Sequence, residues 1–529
     1  MARRLSRSAF QSRGLLIAVL AVVGLLAFVL LATRRNDGQL VPAEGGTLVE
    51  SSIGPVERVN PLLAVTPAER DLAALVFSGL TRPGPGGEAL PDVAEAWDVS
   101  NDGRSFTFAL RRDLSWHDGA PVRVEDVLFT IKLIQAGAVA DQRLADVWRP
   151  ATVSRVDARR VRVDLPAPYA PLPAYAGFGL LPEHLLRDLT PADLATVTFN
   201  QRPVGNGPFR LQSLDGDRAE LARYDRYHLG APYLEGIELR IDADREGADA
   251  TVLGAAGVTG DRVTYPLSEQ AYVAVMLNND APLFATDTVR RALSLAVDRR
   301  ALVAKTLGGR GAPTDVPFAP GSWAHDGQEP PPPDLDLARQ LLESAGWTPG
   351  PDGVLQRGTT ELRFTLVTTD EPVWTGIAGV LADTWSQIGA RVTVAPAQSQ
   401  ALLDDFLNPR RYEAALIGWD PGFDPDPFTA WHSSLRGEPG GNPANFADEQ
   451  SDALLVEGRV LGSEEQRRER YRTFQTRFRE LAPSIVLFTE IVRYAVREEF
   501  RLSLPASGPD ASARFTDVRR WFTNTRHSP

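Results

Sequence analysis

Residues 361–394 constrain the fold more than any other stretch. Glu361 to Val367 (ELRFTLV) reads as a strand. Ile377, Val380, Leu381, Trp385 and Ile388 then fall at helical spacing, Gly389 stops the helix, and Arg391 to Val394 forms a second strand. Strand, helix and strand in succession make a βαβ unit, whose crossover is right-handed. A chain carrying this unit is committed to an α/β layer architecture.

The alternation continues elsewhere. Ser105–Leu110 (SFTFAL) and Arg159–Leu165 (RRVRVDL) alternate polar and apolar residues as half-buried strands do. Between them Glu125 and Asp126 open the helical stretch VLFTIKLIQ, two acids suited to the positive end of a helix dipole. A strand is predicted at Tyr412–Trp419 and a fully buried one at Ser484–Phe488 (SIVLF). Ser463 and Gln466 form a capping box before a helix with the stripe Tyr471, Phe474, Phe478 and Leu481, which Pro483 ends. The prolines at 330–333 read as a stiff connector before a helix capped by Asp334 or Asp336. Gly205-Asn206-Gly207-Pro208 reads as a tight turn near a lobe crossing; it lacks the G-x-G-x-x-G spacing of a dinucleotide site.

Length and charge bound the function. A chain of 529 residues folds as a two-lobed or multi-domain protein. It has no cysteine, which removes disulfides, thiol catalysis, thiolate zinc sites and a thioether lipid anchor. Six arginines and no acid occupy residues 1–35, so a net charge of −12 leaves the remainder near −18. Such an acidic body is not built to neutralise phosphates, and no nucleic-acid partner is expected. Gly14–Ala32 is an uncharged run of nineteen residues. As a helix it spans about 28 Å, one bilayer core. The arginines before it favour a cytoplasmic N-terminus. Residues 1–35 are therefore expected to be a cytoplasmic tail and signal anchor, residues 36–47 a linker, and the rest an extracytoplasmic body on the cell membrane.

Several blocks then resemble one family. Leu90–Thr130 (LPDVAEAWDVSNDGRSFTFALRRDLSWHDGAPVRVEDVLFT), Val204–Leu211 (VGNGPFRL), Tyr227–Glu238 (YHLGAPYLEGIE), Leu277–Arg299 with VRRALSLAVDR, Asp336–Trp347 and Tyr412–Pro427 occur in the order found in extracytoplasmic solute-binding proteins of peptide and nickel ABC importers. The resemblance covers nearly the whole body. It implies a two-lobed α/β fold of the large, peptide-binding periplasmic-binding-protein type. Lobe I would comprise 48–245 plus 480–525, with an inserted subdomain at about 61–198, and lobe II 246–479. It further implies a monomer that closes on a short peptide, hands it to permease subunits, and needs no cofactor or metal. Nickel chelates, oligosaccharides and opine-like solutes stay open as cargo.

Site residues follow from the resemblance. In the peptide-binding relatives a carboxylate of the G-W-x-x-D-x-x-D-P segment pairs with the peptide's terminal ammonium. Here that segment runs from Gly418 to Pro427 (GWDPGFDPDP), one residue longer, with Gly422 where the aspartate would fall. Asp424 is the first choice for the role, with Asp420 and Asp426 as alternatives or as turn residues held by their prolines. Trp419 and Trp323 are candidate cleft walls or core residues. Asn60 begins the stretch that would run alongside the ligand. His117 belongs to a turn. The rival functions are a tethered hydrolase using Asp420, Asp424, Asp426 and His432, and a sensory ectodomain. The chain lacks H-E-x-x-H, G-x-S-x-G and G-x-x-x-x-G-K-[ST], and the prolines at 421, 425 and 427 do not suit an EF-hand loop.

Overall fold

Ten strands form the path of one main sheet in the computed structural model, which describes residues 40–242, 247–253 and 261–527. Numbered in chain order they are β1 (Thr47–Ser52), β2 (Phe209–Asp215), β3 (Arg218–Arg223), β4 (Gly236–Ile241), β5 (Ala250–Leu253), β6 (Arg262–Leu277), β7 (Arg363–Thr369), β8 (Arg391–Ala397), β9 (Ala414–Trp419) and β10 (Ser484–Arg497). Their spatial order is β8-β7-β9-β6-β10-β5-β1-β4-β3-β2. Helices around the sheet include α1 (Pro67–Val76), α2 (Val124–Gln135), α3 (Pro372–Ser386), α4 (Glu449–Val460) and α5 (Glu464–Leu481). The βαβ unit is β7-α3-β8, with Arg363 to Thr369 parallel to Arg391 to Ala397.

Two lobes share this sheet through β6 and β10. Arg262–Ser268 pairs antiparallel with Ile491–Arg497, and Tyr272–Met276 with Ser484–Thr489. Between these segments Glu269, Gln270 and Ala271 face the single residue Glu490, so the ladder is bulged where one lobe gives way to the other. A bulge bends and twists a strand pair, and this one puts its irregularity at the junction.

Each lobe buries its own core. The first core gathers Leu48, helix α1, the segments from 93 to 239, and Phe515, Val518 and Trp521. It includes an antiparallel sheet of Ala94–Val99, Ser105–Leu110, Arg160–Asp164 and Thr152–Arg155, in that spatial order. In the second lobe, β6 points Val273, Val275 and Leu277 at one core beside α3, while Tyr272, Ala274 and Met276 enter another beneath α5. Alternate residues of a strand face opposite sides, and a sheet covered on both sides reads as continuously apolar. That is why VAVML and SIVLF carry almost no charge.

Local signals in the sequence have local counterparts. Ser463 caps α5, its Oγ accepting from Gln466 N at 3.2 Å. Asp334 caps Leu335–Ser344 by accepting from Leu337 N at 2.8 Å. The Gly205–Gly207 turn packs on the end of α1, where a Cβ at Gly205 would lie 1.9 Å from the Val76 carbonyl oxygen. Glycine is needed there for close backbone approach, without any phosphate. Among the described residues no helix is long and apolar enough to cross a membrane, and the run Gly14–Ala32 lies outside them.

Candidate functional site

The junction of the lobes holds a partly open cavity of about 810 Å³. Lobe I contributes Pro61, Leu62 and Arg70, Phe77, the 139–144 turn with Arg143, and Asp510. Lobe II contributes Asp420, Gly422 and Phe423, and the bulge of β6 contributes Glu269 and Ala271. A second cavity of about 700 Å³ is lined by Pro166, Pro168, Tyr169, Tyr175, Trp419 and Asp426, among others. Arg143 and Asp420 line both.

The lobes touch across these spaces. Arg143 Nη1 donates to Asp420 Oδ2 at 2.8 Å, while its Nη2 donates to Asp141 Oδ2 at 2.8 Å. Phe423 meets the ring of Tyr175 edge-on at 5.5 Å. Ala170 N donates to Arg459 O at 2.8 Å, and the Arg459 guanidinium sits 5.3 Å from the centre of the Tyr169 ring. Trp323 N donates to Gly86 O at 2.9 Å.

The structure divides the six residues singled out in the sequence. Trp419 and Asp420 line the cavities, and Asp426 reaches the second one with its carboxylate accepting from Arg459 at 2.7 Å. Asp424 is elsewhere: it is buried, with Oδ1 and Oδ2 accepting from Arg467 at 2.5 and 2.9 Å. Burial pushes its carboxyl up from the ordinary value, against the pull of the guanidinium. Trp323 packs in the second lobe's core, 5.9 Å from Tyr471, with Arg467 over its ring at 4.9 Å. Asn60 is fully buried, its Nδ2 donating to Asn200 Oδ1 at 3.0 Å and its Oδ1 accepting from Leu62 N at 3.0 Å. These three side chains are committed within the fold because each meets its partners there, and only the neighbours Pro61 and Leu62 of Asn60 reach the cavity.

Gly422 shows why the carboxylates are redistributed. Its φ is +91°, and a Cβ would lie 3.1 Å from the Tyr175 hydroxyl. A side chain there would be strained and crowded. Asp420 instead turns back to accept from Gly422 N at 2.8 Å and forward to meet Arg143.

Sequence reasoning missed Glu269, Asp510, Arg70 and Arg143. Glu269 is half-buried, and among the described residues its carboxylate has no hydrogen bond or ion pair. Burial, reinforced by Asp510, Glu490 and Asp420, pushes its carboxyl up to about 7. The one local signal was a lone acid in LSEQAYVAVML, which no motif marks. His117 Nε2 donates to Gly207 O at 3.0 Å, and burial pushes its imidazole down to about 4. Its place is in the turn packing of lobe I.

Two lobes, a shared pair of strands and a partly open cavity at their junction define a solute-binding protein of the bilobal type. Residues 88–441 match the bacterial extracellular solute-binding proteins, family 5 (middle region), and the chain belongs to that family. It is 26% identical over 490 residues to the oligopeptide-binding protein AppA of Bacillus subtilis (strain 168), covering 86% of this chain and 88% of that one. The structure of AppA from Bacillus subtilis in complex with a nonapeptide superposes with a TM-score of 0.64 at 24% identity, covering 91% of this chain and 99% of that one. NikZ from Campylobacter jejuni, in complex with Ni(L-His), gives 0.66 at 24% identity, covering 90% and 99%. These structural likenesses show the fold. The family comprises substrate-binding proteins of ABC transporters, with peptide- and nickel-binding members.

Proposed function

We propose that this chain captures short peptides between its lobes outside the cytoplasmic membrane and delivers them, chemically intact, to ABC permease subunits. Gly14–Ala32 holds it at the membrane as an uncleaved signal anchor, which takes the place of the lipid that a chain without cysteine cannot carry. The observation that carries the reading is the cavity of about 810 Å³, walled by both lobes and by the bulge of β6, one of the two strands they share. Ligand sites favour such junctions.

The mechanism follows from the contacts. A solute drives closure only by binding the closed arrangement better than the open one. Arg143 and Asp420 come from opposite lobes, so their ion pair exists only when the lobes are together. The Phe423–Tyr175 contact obeys the same condition. A solute that touches both walls adds to these contacts and shifts the balance. Trp419 gives the second cavity a flat apolar wall for a side chain. The proposed ligand residues are Asp420, Trp419, Asp426 and Phe423, with the backbone of Pro61 and Leu62 alongside. Asp424 holds the second lobe together.

The test is mass spectrometry of solutes that remain bound to the full chain purified without denaturant, followed by scattering with and without the recovered solute. Mixed short peptides and a more compact profile on rebinding support the reading. Recovery of a nickel chelate, or no binding from a broad peptide panel, overturns the peptide assignment.

A further inference from the structure

Six charged side chains line the larger cavity: Arg70, Asp141, Arg143, Glu269, Asp420 and Asp510. Four are carboxylates and two are guanidinium groups. Arg143 serves both Asp141 and Asp420, and Arg70 lies 3.8 Å from Asp510. Glu269 is left without a partner among the described residues. It sits on the bulge of β6 where the lobes join, with its backbone paired to Gly508.

We infer that the solute carries an ammonium or guanidinium group that seats against Glu269, so that this residue selects cationic ligands. The inference rests on the solute-binding reading and adds the chemical class of the solute. A half-buried carboxylate with no partner is costly, and a cation brought in by the ligand removes that cost. The charges that act on Glu269 come from several elements: Asp510 from the C-terminal segment of lobe I, Asp420 from lobe II, Glu490 from β10, and the cation Arg70 from α1. Closing the lobes concentrates Asp420 and Asp510 around Glu269. With an empty cavity their repulsion opposes closure, and a cation at the centre reverses the sign of that contribution. A cation therefore binds the closed arrangement better than the open one, as closure requires.

The pH dependence has a definite direction. The Glu269 carboxyl is pushed up to about 7 in the empty cavity, and a bound cation favours its ionised form. Affinity for a ligand whose own charge is constant should rise from pH 5.5 to 8.

The experiment is a double-mutant cycle by calorimetric titration of the full chain. The probes are Ala-Arg-Ala, Ala-citrulline-Ala and acetyl-Ala-Arg-Ala, with spermidine as a cation that is not a peptide. The proteins are wild type, Glu269→Gln and Glu269→Asp, each checked for an intact thermal transition. Wild type should lose at least tenfold in affinity when one cation is deleted, and Glu269→Gln less than twofold for the same deletion. Glu269→Asp should keep part of the preference. Loss on replacing arginine by citrulline assigns a basic side chain, and loss on acetylation assigns the terminal ammonium. Equal losses in wild type and Glu269→Gln, or uncharged peptides binding as tightly as charged ones, overturn the inference and leave the peptide reading standing. Spermidine binding that depends on Glu269, with no peptide bound, supports the inference and overturns the peptide reading. Binding of none of the cations overturns the inference.

Discussion

Asp424 and Glu269 sit in two regions that handle a buried charge in opposite ways. At Asp424, in the second lobe, both carboxylate oxygens meet the Arg467 guanidinium, which is itself fixed by the Gly458 carbonyl at 2.8 Å and the Tyr471 hydroxyl at 3.1 Å. At Glu269, on the strand between the lobes, the nearest charges are mostly of its own sign and an open cavity stands where a partner would be. Removing a charge from water is tolerated when its partner travels with it. Asp424 therefore belongs to the fold, while Glu269 gives up stability to keep a site available. Lobe I repeats the first pattern with Arg514, whose guanidinium reaches Glu50 Oε1 at 2.5 Å and Asp71 Oδ2 at 2.7 Å in full burial.

The paired charges should respond most strongly to substitution. Arg514→Met strands two buried carboxylates and should lower unfolding stability by about 3–5 kcal/mol or more, read from denaturant midpoints. Asp424→Ala strands one guanidinium, with an expected loss of about 3–5 kcal/mol. Adding Arg467→Met to Asp424→Leu should recover most of that loss. An Asp424→Ala protein that is fully stable but fails to bind solute would reverse the assignment of roles.

Glu269→Gln should have the opposite sign and a smaller size. The folded carboxyl is pushed up to about 7, above its value in the unfolded chain. Its contribution to wild-type stability is therefore fully present below the unfolded value near 4.3 and is lost as pH rises through about 7. The substitution should leave stability unchanged near pH 4 and raise it relative to wild type by about 1–3 kcal/mol at pH 8. Thermal unfolding across that range measures the difference. A constant offset at all pH values would show that Glu269 has a hidden partner.

Arg143→Ala should have the least effect on stability. Both members of the Arg143–Asp420 pair are substantially exposed, and such pairs contribute no more than about 1 kcal/mol. Its effect should show in the arrangement of the lobes, as a larger radius of gyration for the empty protein with little change in the unfolding midpoint. An unchanged profile would remove this pair from the closure mechanism.

How far these features could be read in advance depends on how local their causes are. The β7-α3-β8 unit, the Ser463 cap and the strand Ser105–Leu110 were visible because periodicity and capping act over a few residues. The long shared strands were not. Only SIVLF was recognised in β10, which runs to Arg497 because EIVRYAVR keeps pairing with β6 beyond the second lobe's core. In β6 itself Pro266 and the bulge at Glu269–Ala271 break the alternation that would have revealed one strand. The cleft was legible in part, through Trp419 and Asp420, since the segment that carries them follows a buried strand.

Periodicity and the order of motifs along the chain establish the layered α/β class, the family, and the concentration of carboxylates between Asp420 and Asp426. The tertiary structure alone decided which carboxylate keeps a free face. Arg459 and Arg467 find Asp426 and Asp424 from α4 and α5, while Glu269 is met by Asp420 and Asp510 from far along the chain. Pairing and desolvation depend on distances of a few ångströms in space, and chain order does not encode those distances until the lobes have packed.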